Sequence, residues 1–271
     1  MELLGFTKLS KKSISKELEE YVKGIKEETG RIAYIKNLQS LGQLGQAAGF
    51  IFNNSLQISV EIVEDNFLDS KGELCKEEIE CMIAHEVTHG LLAYKKNYCQ
   101  HNLILDDSEL GGKSADMLFT MIEDIVVNKM IDENNLFQSL IKSYIDTVME
   151  REVKLLRREE DCYKIGKHSP IFRDRFMVWR YIQAWGFLKY FDFDNESKKV
   201  INEYLELFQK RYPQQYEKAI KTKEIIFEND IFKAEGFRNA IKKCSNLSFW
   251  SIPNIEIITT SQALQLLPQA E

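Results

Sequence analysis

The sequence predicts an α+β chain, mostly α-helical, with a strand ahead of two central helices and a helical C-terminal part after them. Two observations carry this. Residues 50–65 contain Leu56, Ile58, Val60 and Ile62 alternating with Gln57, Ser59 and Glu61, the two-residue period of a half-buried strand. Residues 73–96 and 113–133 contain no proline and carry apolar residues at helical spacing, as do further stretches after Asp132. Residues 1–135 would then form a core of strand 50–65, helix 73–96 and helix 113–133. Residues 136–271 would form a helical part, either a subdomain of its own or continuous with the core.

Taken in order, the chain opens with an amphipathic helix over about Ser13–Glu28 and a turn near Gly30, then a helical or mixed stretch to Ala48. The strand of 50–65 comes next. Helix 73–96 places Ile79, Met82, Ile83, Val87, Leu91 and Leu92 on its apolar side, and a loop over Asn97–Gly112 holds Asp106-Asp107-Ser108 and Gly111-Gly112. Helix 113–133 follows. Further helices are expected over Leu136–Arg158, Phe172–Phe191, Glu196–Arg211, Gln214–Phe227 and Asp230–Lys243, before a proline-containing tail from Ser251. The second of these is crowded with Phe176, Trp179, Tyr181, Trp185, Phe187 and Tyr190, which are core-building side chains.

With 271 residues and 44% hydrophobic content, the chain can bury a full core. The net charge is −6 and no basic cluster stands out, so no nucleic-acid partner is implied; Lys8, Lys11, Lys12 and Lys16 read as a solvated helix start. No apolar run approaches the ~20 residues that span a bilayer, and the N-terminus lacks the basic-then-apolar order of a secretory signal. Five cysteines, Cys75, Cys81, Cys99, Cys162 and Cys244, are scattered without C-x-x-C spacing, which suits reduced thiols. A cytoplasmic location, with no membrane partner, is the expectation.

The chemistry is concentrated in His85-Glu86-Val87-Thr88-His89, on the helix of 73–96. Residues four apart lie one above the other on a helix, so two imidazoles at that spacing can grip a single Zn2+ with nearly relaxed rotamers. Glu86 lies out of the ligand row, placed to take a proton from a metal-bound water whose pKa zinc lowers to about 7. A third ligand is expected from helix 113–133, where Glu123, Asp124 and Asn128 are embedded in an apolar sequence. At about 100° per residue, Asp124 and Asn128 fall within the stripe of Met117, Met121 and Ile131, while Glu123 falls beside Asp116 and Thr120. That phase favours Asp124; the longer Glu123 is the rival. Asn128, one turn on, is placed to steady a ligand. His101, on the loop, is a minor ligand candidate.

These residues resemble the zincin metallopeptidases, in which H-E-x-x-H lies on one helix and an acid from a following helix completes the zinc site. The metzincin extension H-E-x-x-H-x-x-G-x-x-H is not met, since His89 is followed by Gly90-Leu91-Leu92-Ala93-Tyr94-Lys95. The chain is more similar to the gluzincin and aspzincin branches. It departs from the gluzincin pattern, Glu followed four residues on by Asp: Glu123 meets Val127 there, and Asp124 meets Asn128. The resemblance implies a zinc-dependent peptidase acting on a peptide or protein substrate, with zinc on His85, His89 and Asp124 or Glu123, and Glu86 as general base. It also implies a small zincin-like sheet packed on the active-site helix, with an edge strand beside that helix, for which the strand of 50–65 is the candidate, and a downstream group that steadies the oxyanion. His168, Arg173, Arg175 and Tyr181 are candidates for that role. The alternative from a different class is a zinc-stabilised helical interaction or scaffold protein, with a fourth protein ligand closing the site.

Overall fold

The structure, a computed structural model, describes residues 5–7, 15–37, 48–51, 57–63, 67, 72, 75–94, 101–104, 109–134, 136, 141, 142, 144–160, 163, 170–250, 252, 255–259, 262 and 265. It is an α+β, mostly helical chain that divides into two compact units. One comprises residues 1–101, 130–140 and 258–271, the other residues 102–129 and 141–257.

The first unit is built on a four-stranded sheet in the order β1-β2-β4-β3, with β1 (Gly5–Thr7), β2 (Ile32–Asn37), β3 (Ala48–Ile51) and β4 (Gln57–Ile62). β1, β2 and β4 run parallel, and β3 pairs antiparallel with β4 at the end of the order. Ala33 pairs with Ile58 and Ile35 with Val60, so these side chains share one face of the sheet; all four, with Ile62, are buried, while Tyr34, Ser59 and Glu61 on the other face are half-buried. Between β1 and β2 runs α1 (Lys16–Thr29). Ser15 caps its start by accepting the Leu18 N–H at 3.2 Å, and Gly30 ends it in the left-handed region at φ 70°, a conformation that costs glycine nothing. Leu18, Val22 and Ile25, at the spacing of one helical face, are its buried residues.

The helix α2 (Lys76–Tyr94) lies against α1, β3 and β4. From Ile83 to Tyr94 every residue but His85 is buried, so this is a helix enclosed nearly all round rather than an amphipathic one. Its approach to the sheet depends on Gly90. A Cβ there would lie 3.2 Å from Cβ and Cγ1 of the fully buried Ile58, and closer still to Cγ2.

One expectation for this part of the chain is narrowed and two are corrected. Residues 32–37, expected in a helical or mixed stretch, form β2, because Ala33 and Ile35 alternate toward the core with Ile32 and Tyr34. The single strand of 50–65 is two strands, β3 and β4, folded antiparallel; residues 52–56 lie outside the described residues. And the loop of 97–112 contains β5 (His101–Ile104) and the first turn of α3 (Glu109–Asp132), which takes Gly111 and Gly112 into a helix.

The second unit is a helical assembly. Most of α3 belongs to it, together with a π turn at Ile145–Met149 that runs into α4 (Glu150–Arg157), then α5 (Pro170–Tyr190), α6 (Asn195–Arg211), α7 (Pro213–Glu228) and α8 (Ala234–Ser245). Asp194 caps α6 by accepting the Ser197 N–H at 2.7 Å, and Pro213 opens α7 where a missing N–H costs nothing. Tyr163, Tyr181, Tyr204, Phe208 and Tyr212 form an aromatic core with edge-on and tilted contacts, in which the hydroxyls of Tyr163 and Tyr204 meet at 2.5 Å. Arg180 of α5 donates to Glu152 of α4 at 2.7 Å and to Gln183 at 3.1 Å, with its guanidinium over the Tyr144 ring. The tail after Ser251 carries β6 (Ile255–Ile258), which pairs with β5 in a second, two-stranded sheet. Among the described residues no helix is long and apolar enough to cross a membrane.

Candidate metal centre

The site is built on α2. Glu80, Ala84 and Thr88 line the side that α1 meets. The Ser15 N–H donates to Glu80 Oε1 at 2.6 Å, and the hydroxyls of Tyr21 and Thr88 lie 2.6 Å apart. The Thr88 hydroxyl donates to the Ala84 carbonyl one turn back at 2.6 Å. Its proton is therefore committed, and Tyr21 is the donor in the pair. Burial pushes the Tyr21 phenol up to about 12, so it stays protonated and able to donate.

On another side of the same turns, the rings of His85 and His89 stand edge-on, with centroids 4.8 Å apart and planes at 74°. Their Nε2 atoms point to a common place, 3.1 Å apart. Two nitrogens held at about 2.0–2.1 Å by one tetrahedral zinc are about 3.3 Å apart, so the observed separation fits a shared metal ion. The same pair satisfies a hydrogen bond if one ring carries its proton on Nε2 and the other does not.

The ligand-capable atoms of His85, His89 and Asp124 all lie within 4.8 Å of one another. Two imidazoles and one carboxylate are a donor set for a divalent transition metal such as zinc. Asp124 sits on α3 among Met121, Ile122, Ile125 and Val126, all buried, and is itself 8% exposed. Glu123 is next to it and equally buried, but it does not belong to the group of three. Asn128 is buried one turn along α3 from Asp124. Glu86, at 8%, is buried beside the two ligand positions on α2.

The other candidates are placed as follows. His101 lies in β5, with a side chain outside the described residues, and His168 lies outside them altogether. Arg175 is a structural clamp: its guanidinium donates to the Ser114 hydroxyl, to the Phe249 carbonyl at 3.1 Å and to the Trp250 carbonyl at 2.6 Å. Arg173 donates to the Tyr163 carbonyl at 3.2 Å, and Tyr181 packs between Phe208 and Tyr216. The Tyr21–Thr88 contact was not among the sequence expectations. The only signal for it is that Tyr21 adjoins the Leu18, Val22 and Ile25 face of α1, which says that it is near a partner helix but not which residue it meets.

Comparison with protein-family models, curated proteins and solved structures finds no match to this chain.

Proposed function

We propose that this chain is a zinc-dependent metallopeptidase, with zinc held by His85, His89 and Asp124 and with Glu86 as general base. The observation that carries the reading is the convergence of the two Nε2 atoms, 3.1 Å apart, with a carboxylate oxygen of Asp124 in the same group. When bound there, zinc supplies a polarised water and carbonyl. Glu86 would serve as general base and then general acid, taking a proton from the attacking water as its oxygen bonds to the carbonyl carbon and returning it to the nitrogen as the C–N bond breaks. The expected substrate-binding strand is amended. β4 has a neighbour on each edge and cannot accept a peptide, whereas among the described residues β3 ends the sheet and packs on α2; an extended peptide pairing along Ala48–Ile51 is the arrangement this strand order supports.

A second reading, a metal held for the fold alone, draws on burial: Glu86, His89 and Asp124 are each less than a tenth exposed. Metal analysis of protein purified without added metal tests both. About one zinc per chain in wild type and in Glu86→Gln, lost in His85→Ala, is the expected outcome. Hydrolysis of a peptide library by wild type but not by Glu86→Gln then supports the peptidase, and metal without hydrolysis in either supports the structural site. No bound metal, and none taken up from added zinc, refutes both readings.

A further inference from the structure

We infer that Tyr21 is a positioning residue for the metal site, acting through Thr88 to set the rotation of α2 and so the direction in which His85 and His89 present their Nε2 atoms. The inference rests on the metal-binding part of the reading above and not on the reaction.

The geometry is a directed relay. The Tyr21 hydroxyl donates to Thr88 Oγ1, and Thr88 donates to the carbonyl of Ala84, the residue before His85. Thr88 in turn immediately precedes His89. The relay therefore spans the same helical turn as the two imidazoles, about 100° away around the axis. One contact would leave α2 free to pivot. A second polar contact lies two turns earlier, where the Ser15 N–H meets Glu80 at 2.6 Å, about 12 Å along α2 from Thr88. Both contacts come from one rigid, capped helix, with Leu18, Val22 and Ile25 buried along it. Two anchors on one strut fix both axial position and rotation.

Rotation matters because the ring nitrogens stand well out from the helix axis. A turn of ~15° about the axis of α2 swings them by ~1.5 Å, while a functional site tolerates about 0.5 Å. Apolar packing restrains rotation as well. The hydroxyl–hydroxyl bond adds a directional restraint, aimed at one atom of the turn that carries both imidazoles.

The test is zinc affinity, measured by competition with a chromophoric chelator, together with the visible spectrum of the cobalt(II) form as a report of ligand geometry. The variants are Tyr21→Phe, Thr88→Val, Thr88→Ser and Val22→Ala. Tyr21→Phe and Thr88→Val are expected to weaken zinc binding ~10-fold or more and to alter the cobalt spectrum, the scale usual for groups that orient metal ligands. Thr88→Ser, which keeps the hydroxyl, is expected to retain affinity within ~3-fold. Val22→Ala reports on packing alone: it should lower the urea midpoint of the apoprotein and leave affinity within ~2-fold. Tyr21→Phe binding zinc like wild type, or Val22→Ala weakening it as much as Tyr21→Phe, overturns the inference. If Tyr21→Phe fails to fold, Thr88→Val against Thr88→Ser decides, with equal affinities counting against it. Wild type that binds neither zinc nor cobalt refutes the metal reading itself, an outcome distinct from all of these.

Discussion

Adding a single methyl at Gly90 sets two known effects against each other. Glycine in a helix interior is about 1 kcal/mol worse than alanine, so at an uncrowded site Gly90→Ala would stabilise the protein by that amount. Here the new carbon would lie 3.2 Å from Cβ and Cγ1 of Ile58 and nearer to Cγ2. Ile58 cannot yield easily: it is β-branched, sits on β4 between two hydrogen-bonded strands, and has no exposed surface to turn toward. Overpacking of this kind costs roughly 1–3 kcal/mol, and a contact this short belongs at the upper end. The net expectation is a loss of about 1–2 kcal/mol, read as a fall in urea midpoint with unchanged m. The double-mutant cycle makes the cause specific. Ile58→Ala alone should cost ~2–5 kcal/mol through the cavity it leaves, but in that background Gly90→Ala should be neutral or stabilising by up to about 1 kcal/mol. If Gly90→Ala stabilises the parent protein, α2 does not lie against β4 at this point, and the placement of the residue after His89 is refuted with it.

Other outcomes follow from the same kind of reasoning. Arg175→Lys should destabilise by about 2 kcal/mol in urea unfolding, because one ammonium cannot serve the Ser114 hydroxyl and the carbonyls of Phe249 and Trp250 that the guanidinium fork holds together; a change within about 0.5 kcal/mol would mean that the fork adds nothing. Cys244, fully buried with its thiol pushed up to about 12, should resist iodoacetamide at pH 8 in the folded protein and react once unfolded, while half-buried Cys75 reacts earlier, as peptide-level mass spectrometry would show. The Tyr21 phenol and the Cys244 thiol both have folded values raised to about 12, above the roughly 10 and 8.5 of the unfolded chain, so over that interval the folded state holds more protons. Their contribution is complete below about pH 8.5 and is lost as pH climbs toward 12; urea midpoints that stay level from pH 8 to 11 would count against both shifts.

The parts of the fold visible in the sequence are those with many periods to read. Helices α1, α2 and α5 to α7 agree with the expected spans to within a few residues, because each offers several turns of apolar spacing and, in α1 and α6, a side-chain cap. Strands of three to six residues offer two or three alternations at most. β2, with Ile32-Ala33-Tyr34-Ile35, is for that reason indistinguishable by period from the start of a helix, and β6 is hidden in the proline-containing tail from Ser251. The π turn at Ile145–Met149 leaves no mark either, since one extra residue in a turn shifts the apolar phase only locally. In the candidate site, the spacing of His85 and His89 defines their mutual geometry, as both lie on one continuous helix. Wheel arithmetic places Asp124 in the apolar stripe of α3, and Asp124 is the acid grouped with the two imidazoles. Burial would not have separated it from Glu123, since both are 8% exposed.

What five residues cannot contain is the orientation of the helix that carries them. His85 and His89 converge because they are four apart, and this would hold on any helix. Which way their shared row faces within its own unit depends on how α2 is seated against α1 and the sheet, and residues of quite different type contribute to that. Gly90 permits the approach to Ile58, because any side chain there would hold the helix away from the sheet. Tyr21 and Ser15 grip Thr88 and Glu80 from α1. Each of these contacts joins elements remote in sequence, Glu80 standing 65 positions after Ser15 and Thr88 67 positions after Tyr21. A motif scan weighs Gly90 and Thr88 as filler around two histidines and a glutamate. In the folded chain Gly90 lets α2 approach Ile58 and Thr88 ties it to Tyr21, so, on the proposed metal reading, substitutions there should alter metal affinity with His85, His89 and Asp124 intact.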